Sequence, residues 1–105
     1  MKRITYPAAC VLQALARGKS YGFDIMEMTG LPSGTVYPML RRFDRDGLVE
    51  SSWETPQEAH GDRRPRRRHY RLTVDGLEAS LRAADRYQRH LEIFEDTEDV
   101  EVASS

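Results

Sequence analysis

A single cysteine, Cys10, is all the thiol that this 105-residue sequence offers. No internal disulfide can form from it, and a structural zinc site built on several thiolates is excluded. Cys10 falls within an apolar helical pattern and reads as a small buried hydrophobe rather than a redox sensor, so a reduced chain without cofactor or metal is expected. Long apolar runs are missing too. Nothing approaches the roughly 20 residues that cross a bilayer, and Met1 to Pro7 lacks the apolar stretch of a secretory signal, so no membrane association and a cytoplasmic location are expected. The three histidines, His60, His69 and His90, are scattered over segments read as a loop, a strand and an exposed helix. None has a nucleophile or a carboxylate pair at a spacing that suggests a site, and no enzyme is expected. Lys and Arg are absent after Arg89, where Glu92, Glu95, Asp96, Glu98, Asp99 and Glu101 cluster. The formal net charge of -1 therefore averages two regions: with six of the 17 acids set aside, 11 remain against 16 Lys and Arg, a net of +5 over the first 91 residues.

What the sequence does have is periodicity. Pro7 suits a first helical turn, and Ala8, Val11, Leu12 and Leu15 recur at helical spacing up to Gly18. Ser20 can cap a second helix that carries Phe23, Ile25, Met26 and Met28 and stops at Gly30. After a turn at Gly30, Pro32 and Gly34, the residues Val36, Met39, Leu40 and Phe43 predict a third helix from Ser33 or Thr35 to Gly47. Two short helices joined by a tight turn make a helix-turn-helix. Leu48 to Trp53 reads as a strand, with Trp53 as core at its base and an aromatic-ligand site as the lesser alternative. Glu54 to Arg67 reads as a loop, and His69 to Thr73 as the returning strand of a hairpin. Thr73 can cap a last helix whose stripe of Leu77, Leu81, Ala84, Tyr87, Leu91 and Phe94 is longer than the short helices can cover; it is expected to bury against a second copy of the chain. The fold expected is mainly α with a small β-hairpin wing (α+β): a winged helix-turn-helix over residues 1–73, a dimerisation helix over 74–95 and a disordered acidic tail over 96–105.

Two basic clusters stand out. Opposite the apolar face, the third helix presents Gly34, Pro38, Arg41 and Arg45, flanked by Tyr37 on one side and by Thr35 and Arg42 on the other. An apolar face anchored in the core with guanidinium groups outside suits major-groove readout, in which arginine pairs with guanine edges or phosphates. Thr35 and Tyr37 lie near the helix N-terminus, where hydroxyls and free N–H groups suit phosphate. A plain solvated face, with Asp44 and Asp46 as ion-pair partners, is the competing reading. The second cluster runs Arg63, Arg64, Arg66, Arg67, Arg68 and Arg71, five of them within six residues. So many like charges at a hairpin tip repel one another, which points to an external polyanion, met along the phosphates or in the minor groove.

Taken together, Gly34-Thr35-Val36-Tyr37-Pro38, Leu40-Arg41-Arg42, Asp46-Gly47-Leu48-Val49, the wing from Gly61 to Thr73 and the Tyr21-Gly22 pair resemble the PadR family of transcriptional regulators. The match covers residues 8 to about 80. It departs in reading Pro32-Ser33 where the family commonly has Ser before Pro, which would make Ser33 the cap one residue later. The resemblance implies a homodimeric repressor of duplex DNA with Ser33, Gly34, Thr35, Tyr37, Pro38, Arg41, Arg42, Arg45, Arg63, Arg64, Arg66, Arg67 and Arg68 at the DNA. It also implies a small aromatic effector held between the head and the last helix. Two recognition helices in a dimer would read a near-palindrome with half-sites about one helical turn apart. A winged-helix module that binds another protein is the alternative, to which the acidic tail lends some support.

Overall fold

The computed structural model describes residues 4–61, 65–95 and 101–103 of the chain. Its elements run α1 (Tyr6–Ala16), α2 (Gly22–Thr29), α3 (Ser33–Arg45), β1 (Val49–Trp53), α4 (Pro56–Gly61), β2 (Arg68–Leu72) and α5 (Val74–Glu92). The mainly helical class with one antiparallel hairpin is as expected from the sequence. Thr5 caps α1 by accepting from the Ala8 N–H at 3.3 Å, and Pro7 sits in the first turn. Val11, Leu12, Ala14 and Leu15 of α1 form the centre of the core with Ile25, Val36, Met39, Leu40, Phe43, Val49, Tyr70 and Ala79. The apolar periodicities of three helices thus converge on one cluster.

The cap of α2 differs from the expectation. Tyr21, whose side chain makes no capping bond, is the cap, because Ser20 is engaged elsewhere: its carbonyl accepts from the Tyr70 N–H at 2.8 Å, and Tyr21 bridges His69. The chain leading into α2 therefore lies along β2 as a short third partner of the hairpin. At the other end of the motif, α3 stops where Gly47 takes φ 77°, with the Leu48 N–H returning to the Phe43 carbonyl at 2.8 Å. That turn delivers the chain directly into β1, whose register pairs Val49 with Leu72 and ends with Trp53 opposite Arg68.

Three further expectations are corrected. The segment from Glu54 to Arg67 is not loop throughout, since α4 forms there behind a Thr55 cap: Thr55 Oγ1 accepts from the Glu58 N–H at 3.2 Å and donates to Glu58 Oε1 at 3.0 Å. Thr55-Pro56-Gln57-Glu58 is the sequence signal for it. Trp53 is not core; it is 59% exposed, because β1 leaves the core after Val49 and carries Trp53 beyond the packed layer. Cys10 is half-buried rather than enclosed.

Thr73 caps α5 as expected, accepting from the Gly76 N–H at 3.0 Å while its hydroxyl donates to the Gly47 carbonyl at 2.6 Å. A Cβ at Gly76 would collide with the Leu48 carbonyl, so the glycine is what lets α5 start hard against the hairpin. From there α5 packs on α1 through small residues, Ala79, Ser80 and Ala83, with Gln13 Nε2 donating to the Ser80 carbonyl at 2.6 Å. Farther along, the Tyr87 hydroxyl donates to the Ile4 carbonyl at 2.8 Å and its ring meets Tyr6 edge-on. No helix among the described residues is long and apolar enough to cross a membrane.

Candidate nucleic-acid interface

α3 is held by the core along one side, and its opposite side is open. Ser33, Gly34, Pro38, Arg41, Arg42 and Arg45 are exposed there, and Thr35 is half-buried. Ser33 is the first helical residue rather than the cap; Pro32 holds that place and its carbonyl accepts from the N–H groups of Thr35 and Val36. The amides of Ser33 and Gly34 precede the first intrahelical acceptor and face outward. Pro38 stands inside the helix, where the missing N–H leaves the Gly34 carbonyl without its usual donor, a defect worth about 3 kcal/mol in an ordinary helix interior. Both residues lie on the open side, so water can satisfy that carbonyl. A Cβ at Gly34 would meet nothing, so packing within the chain does not require the glycine.

Tyr37 is tied into the motif. Its ring lies over Gly22 so closely that a Cβ there would enter the ring, which explains why a glycine opens α2. Asp46 pairs with Arg45 at 3.8 Å across exposed side chains, an attraction of little energetic weight. Asp44 turns to the hairpin instead, accepting from Ser51 Oγ at 2.8 Å. Arg41 and Arg42 make no ion pair among the described residues. The competing reading of a self-neutralised face therefore applies to Arg45 alone.

The hairpin's arginines are in part compensated within the chain, contrary to the simple repulsion argument. Glu54, only 4% exposed, is the centre of this compensation. Its Oε1 accepts from the Arg67 amide at 2.7 Å and from Arg67 Nε at 3.3 Å, and its own N–H donates to the Arg67 carbonyl at 2.8 Å. Arg66 Nε reaches the Glu54 carbonyl at 2.7 Å, and the Arg67 guanidinium lies 3.8 Å over the Tyr21 ring. Arg68 Nη2 bonds Ser51 Oγ at 2.7 Å and Asp44 Oδ2 at 3.4 Å, and Arg71 faces Glu50 at 3.8 Å. These contacts fix the hairpin relative to α2 and α3. Tyr70, beneath them, has its hydroxyl pKa raised above the ordinary tyrosine value, first by burial; Arg68 and Arg41 oppose the rise, while Tyr37 and Asp44 add to it. Arg63 and Arg64 lie outside the described residues. Sequence reasoning missed Glu54, because its burial depends on the hairpin closing across thirteen residues.

α5 has two different sides. Ala79, Ser80 and Ala83 are buried on the side of α1, while Leu77, Leu81 and Leu91 are exposed, Leu81 by 62%; Phe94, expected on the same stripe, lies in the turn beyond the end of α5 at Glu92 and is 78% exposed. Of the expected stripe, Ala84 is exposed as well, and Tyr87 is partly covered by its own chain. Between α1, the end of α2 and α5 lies an open cavity of about 430 Å³ lined by Tyr6, Cys10, Met28, Tyr87 and Leu91 among others. Hydrogen bonding to Cys10 is the main cause that raises the Tyr6 pKa there.

Residues 11–82 match the model of the transcriptional regulator PadR-like family. The fold is similar to that of a PadR-like transcription factor from Bacteroides fragilis, with 25% identity and a TM-score of 0.62 over 82% of this chain and 84% of that one. It is also similar to the PcaV transcriptional regulator of Streptomyces coelicolor in complex with its natural ligand, at 30% identity and a TM-score of 0.70, covering 86% of this chain and 60% of that one. A PadR family transcription regulator from Clostridium difficile shares the fold at 23% identity and a TM-score of 0.65, over 86% of this chain and 98% of its own. A search of curated proteins gave no match. The family match spans the helix-turn-helix, the hairpin and the first half of α5, the elements that build the open basic face, and the chain belongs to the PadR-like family of transcriptional regulators.

Proposed function

We propose that this chain is a sequence-specific repressor that binds duplex DNA as a homodimer, with α3 in the major groove and the hairpin on the flanking backbone. The carrying observation is the open side of α3. Arg41 and Arg42 stand there without an ion-pair partner among the described residues, beside the N–H groups of Ser33 and Gly34 and a glycine that the fold itself does not need. Residues 1–73 form the DNA-binding unit, 74–95 the dimer contact and 96–105 an acidic tail. Of the hairpin arginines, Arg66, Arg68, Arg63 and Arg64 supply positive charge to the backbone, and Arg67, held by Glu54 and Tyr21, chiefly sets the hairpin's position. The cavity between α1 and α5 supports a small aromatic effector, since Tyr6 and Tyr87 line it and Leu91 links it to the dimer side of α5. An effector there would act by altering the spacing of the two recognition helices.

The test is a salt titration on duplexes of different sequence. Two protomers neutralising several phosphates each should lose about a thousandfold in affinity between 50 and 200 mM salt. Arg41→Ala and Arg45→Ala should change sequence preference by about 1–3 kcal/mol at the bases they meet, while Arg66→Ala should weaken all duplexes alike. Equal losses on every duplex from both groups would remove the assignment of α3 as the reading helix. A flat salt response would favour a protein partner.

A further inference from the structure

The one tryptophan of the sequence stands at the far end of β1. Strand alternation puts Trp53 on the sheet face of Val49 and Ser51. Along that face Val49 is buried in the core, Ser51 bonds Asp44 of α3, and Trp53 stands open to solvent beyond them. The face thus passes from the core, along the flank of α3, to an uncovered indole. Its cross-strand neighbour is Arg68, whose guanidinium lies 5.7 Å from the ring centroid while bonding Ser51 and Asp44. The ring is therefore backed by a cation that α3 itself holds in place.

An exposed indole with an ordered cation behind it has a large planar apolar face and a single N–H donor, with no acceptor. Such a group fits a partner that offers both an apolar C–H face and an anionic acceptor. Deoxyribose next to a phosphate offers both. The neighbouring charges of the hairpin, Arg68 beside the ring and Arg66 bonded to the carbonyl of Glu54, the residue after Trp53, select for an anion. The exposed leucines of α5 do not extend to this place: α5 begins beside Leu48 and Leu72, at the opposite end of the hairpin register from the Trp53–Arg68 pair.

We propose that Trp53 is a DNA contact, its ring packing on a deoxyribose that flanks the groove holding α3 and its Nε1–H donating to the adjacent phosphate. This rests on the DNA-binding reading above and adds a residue outside both arginine clusters. Because the contact is to the backbone, it contributes affinity and register without sequence preference.

The test uses the native chain, whose indole emission, excited selectively over its five tyrosines, comes from this one tryptophan. Titration with a duplex that binds, with occupancy read independently by mobility shift, should change the emission in step with binding and protect the indole from acrylamide quenching. Trp53→Ala should weaken specific and unrelated duplexes alike by about five- to tenfold, with an unchanged melting midpoint, and Trp53→Phe should lose part of that. Full occupancy with unaltered emission and quenching would overturn the assignment of Trp53 and leave the DNA-binding reading standing, as would native affinity in Trp53→Ala. No mobility shift with any duplex would overturn the DNA-binding reading, and this inference with it.

Discussion

Three glycines of this chain have three different reasons to be glycine, and each predicts a different mutant. Gly76 lies against the Leu48 carbonyl, a backbone group that cannot swing aside. Gly76→Ala should destabilise the fold by at least about 2 kcal/mol, seen as a clear drop in thermal midpoint. Gly22 yields to the Tyr37 ring, which can move, so alanine there should disturb the seat of α3 more than the global midpoint. Gly34 meets nothing. Gly34→Ala should leave stability unchanged or raise it by up to about 1 kcal/mol, as expected for a helical glycine, while DNA affinity falls. Affinity retained in that variant would mean that no backbone approaches α3 there. At this scale the sequence was only partly legible. Thr73 and Gly47 announce their roles as cap and terminator, and Val36, Met39, Leu40 and Phe43 announce their burial. Glu54 and Trp53 do not: a carboxylate ends up buried and an indole exposed because of where the hairpin crosses the edge of the core, which no local pattern encodes.

At the scale of elements, the helices were readable because each has one clear apolar side and a cap or glycine at an end. The start of α2 and the presence of α4 were not. Ser20 has the chemistry of a cap, but pairing of its backbone with Tyr70 places it in the sheet, a long-range preference that overrides the local one. α4 was hidden by the density of polar residues around it, although Thr55 placed three residues before Glu58 was available as a signal. α5 was read correctly as long and amphipathic, yet the side facing its own domain is written in Gly76, Ala79, Ser80 and Ala83, which carry little hydrophobic signal. Its large apolar residues, Leu77, Leu81 and Leu91, are left exposed, and in the proposed dimer they meet the second copy. Leu81→Glu and Leu91→Glu should therefore give folded monomers in sedimentation, with a melting transition that no longer depends on protein concentration. A dimer that survives both substitutions would place the interface elsewhere.

For the molecule as a whole, charge is segregated rather than absent. A net of +5 over the first 91 residues, set against an acidic end, allows a chain of formal charge -1 to present a basic face to DNA. Much of the positive charge near the hairpin is held by Glu54, Asp44 and Glu50, so the hairpin is preorganised and fewer arginines remain to release counterions. In the proposed dimer the open side of α3, repeated by two-fold symmetry, reads a particular DNA sequence. Selection of bound duplexes from a random pool by the purified protein at physiological salt tests this most directly. A near-palindrome with half-sites about one helical turn apart should be enriched. A folded protein that retains no duplex above background, or that enriches none over another, would contradict that reading.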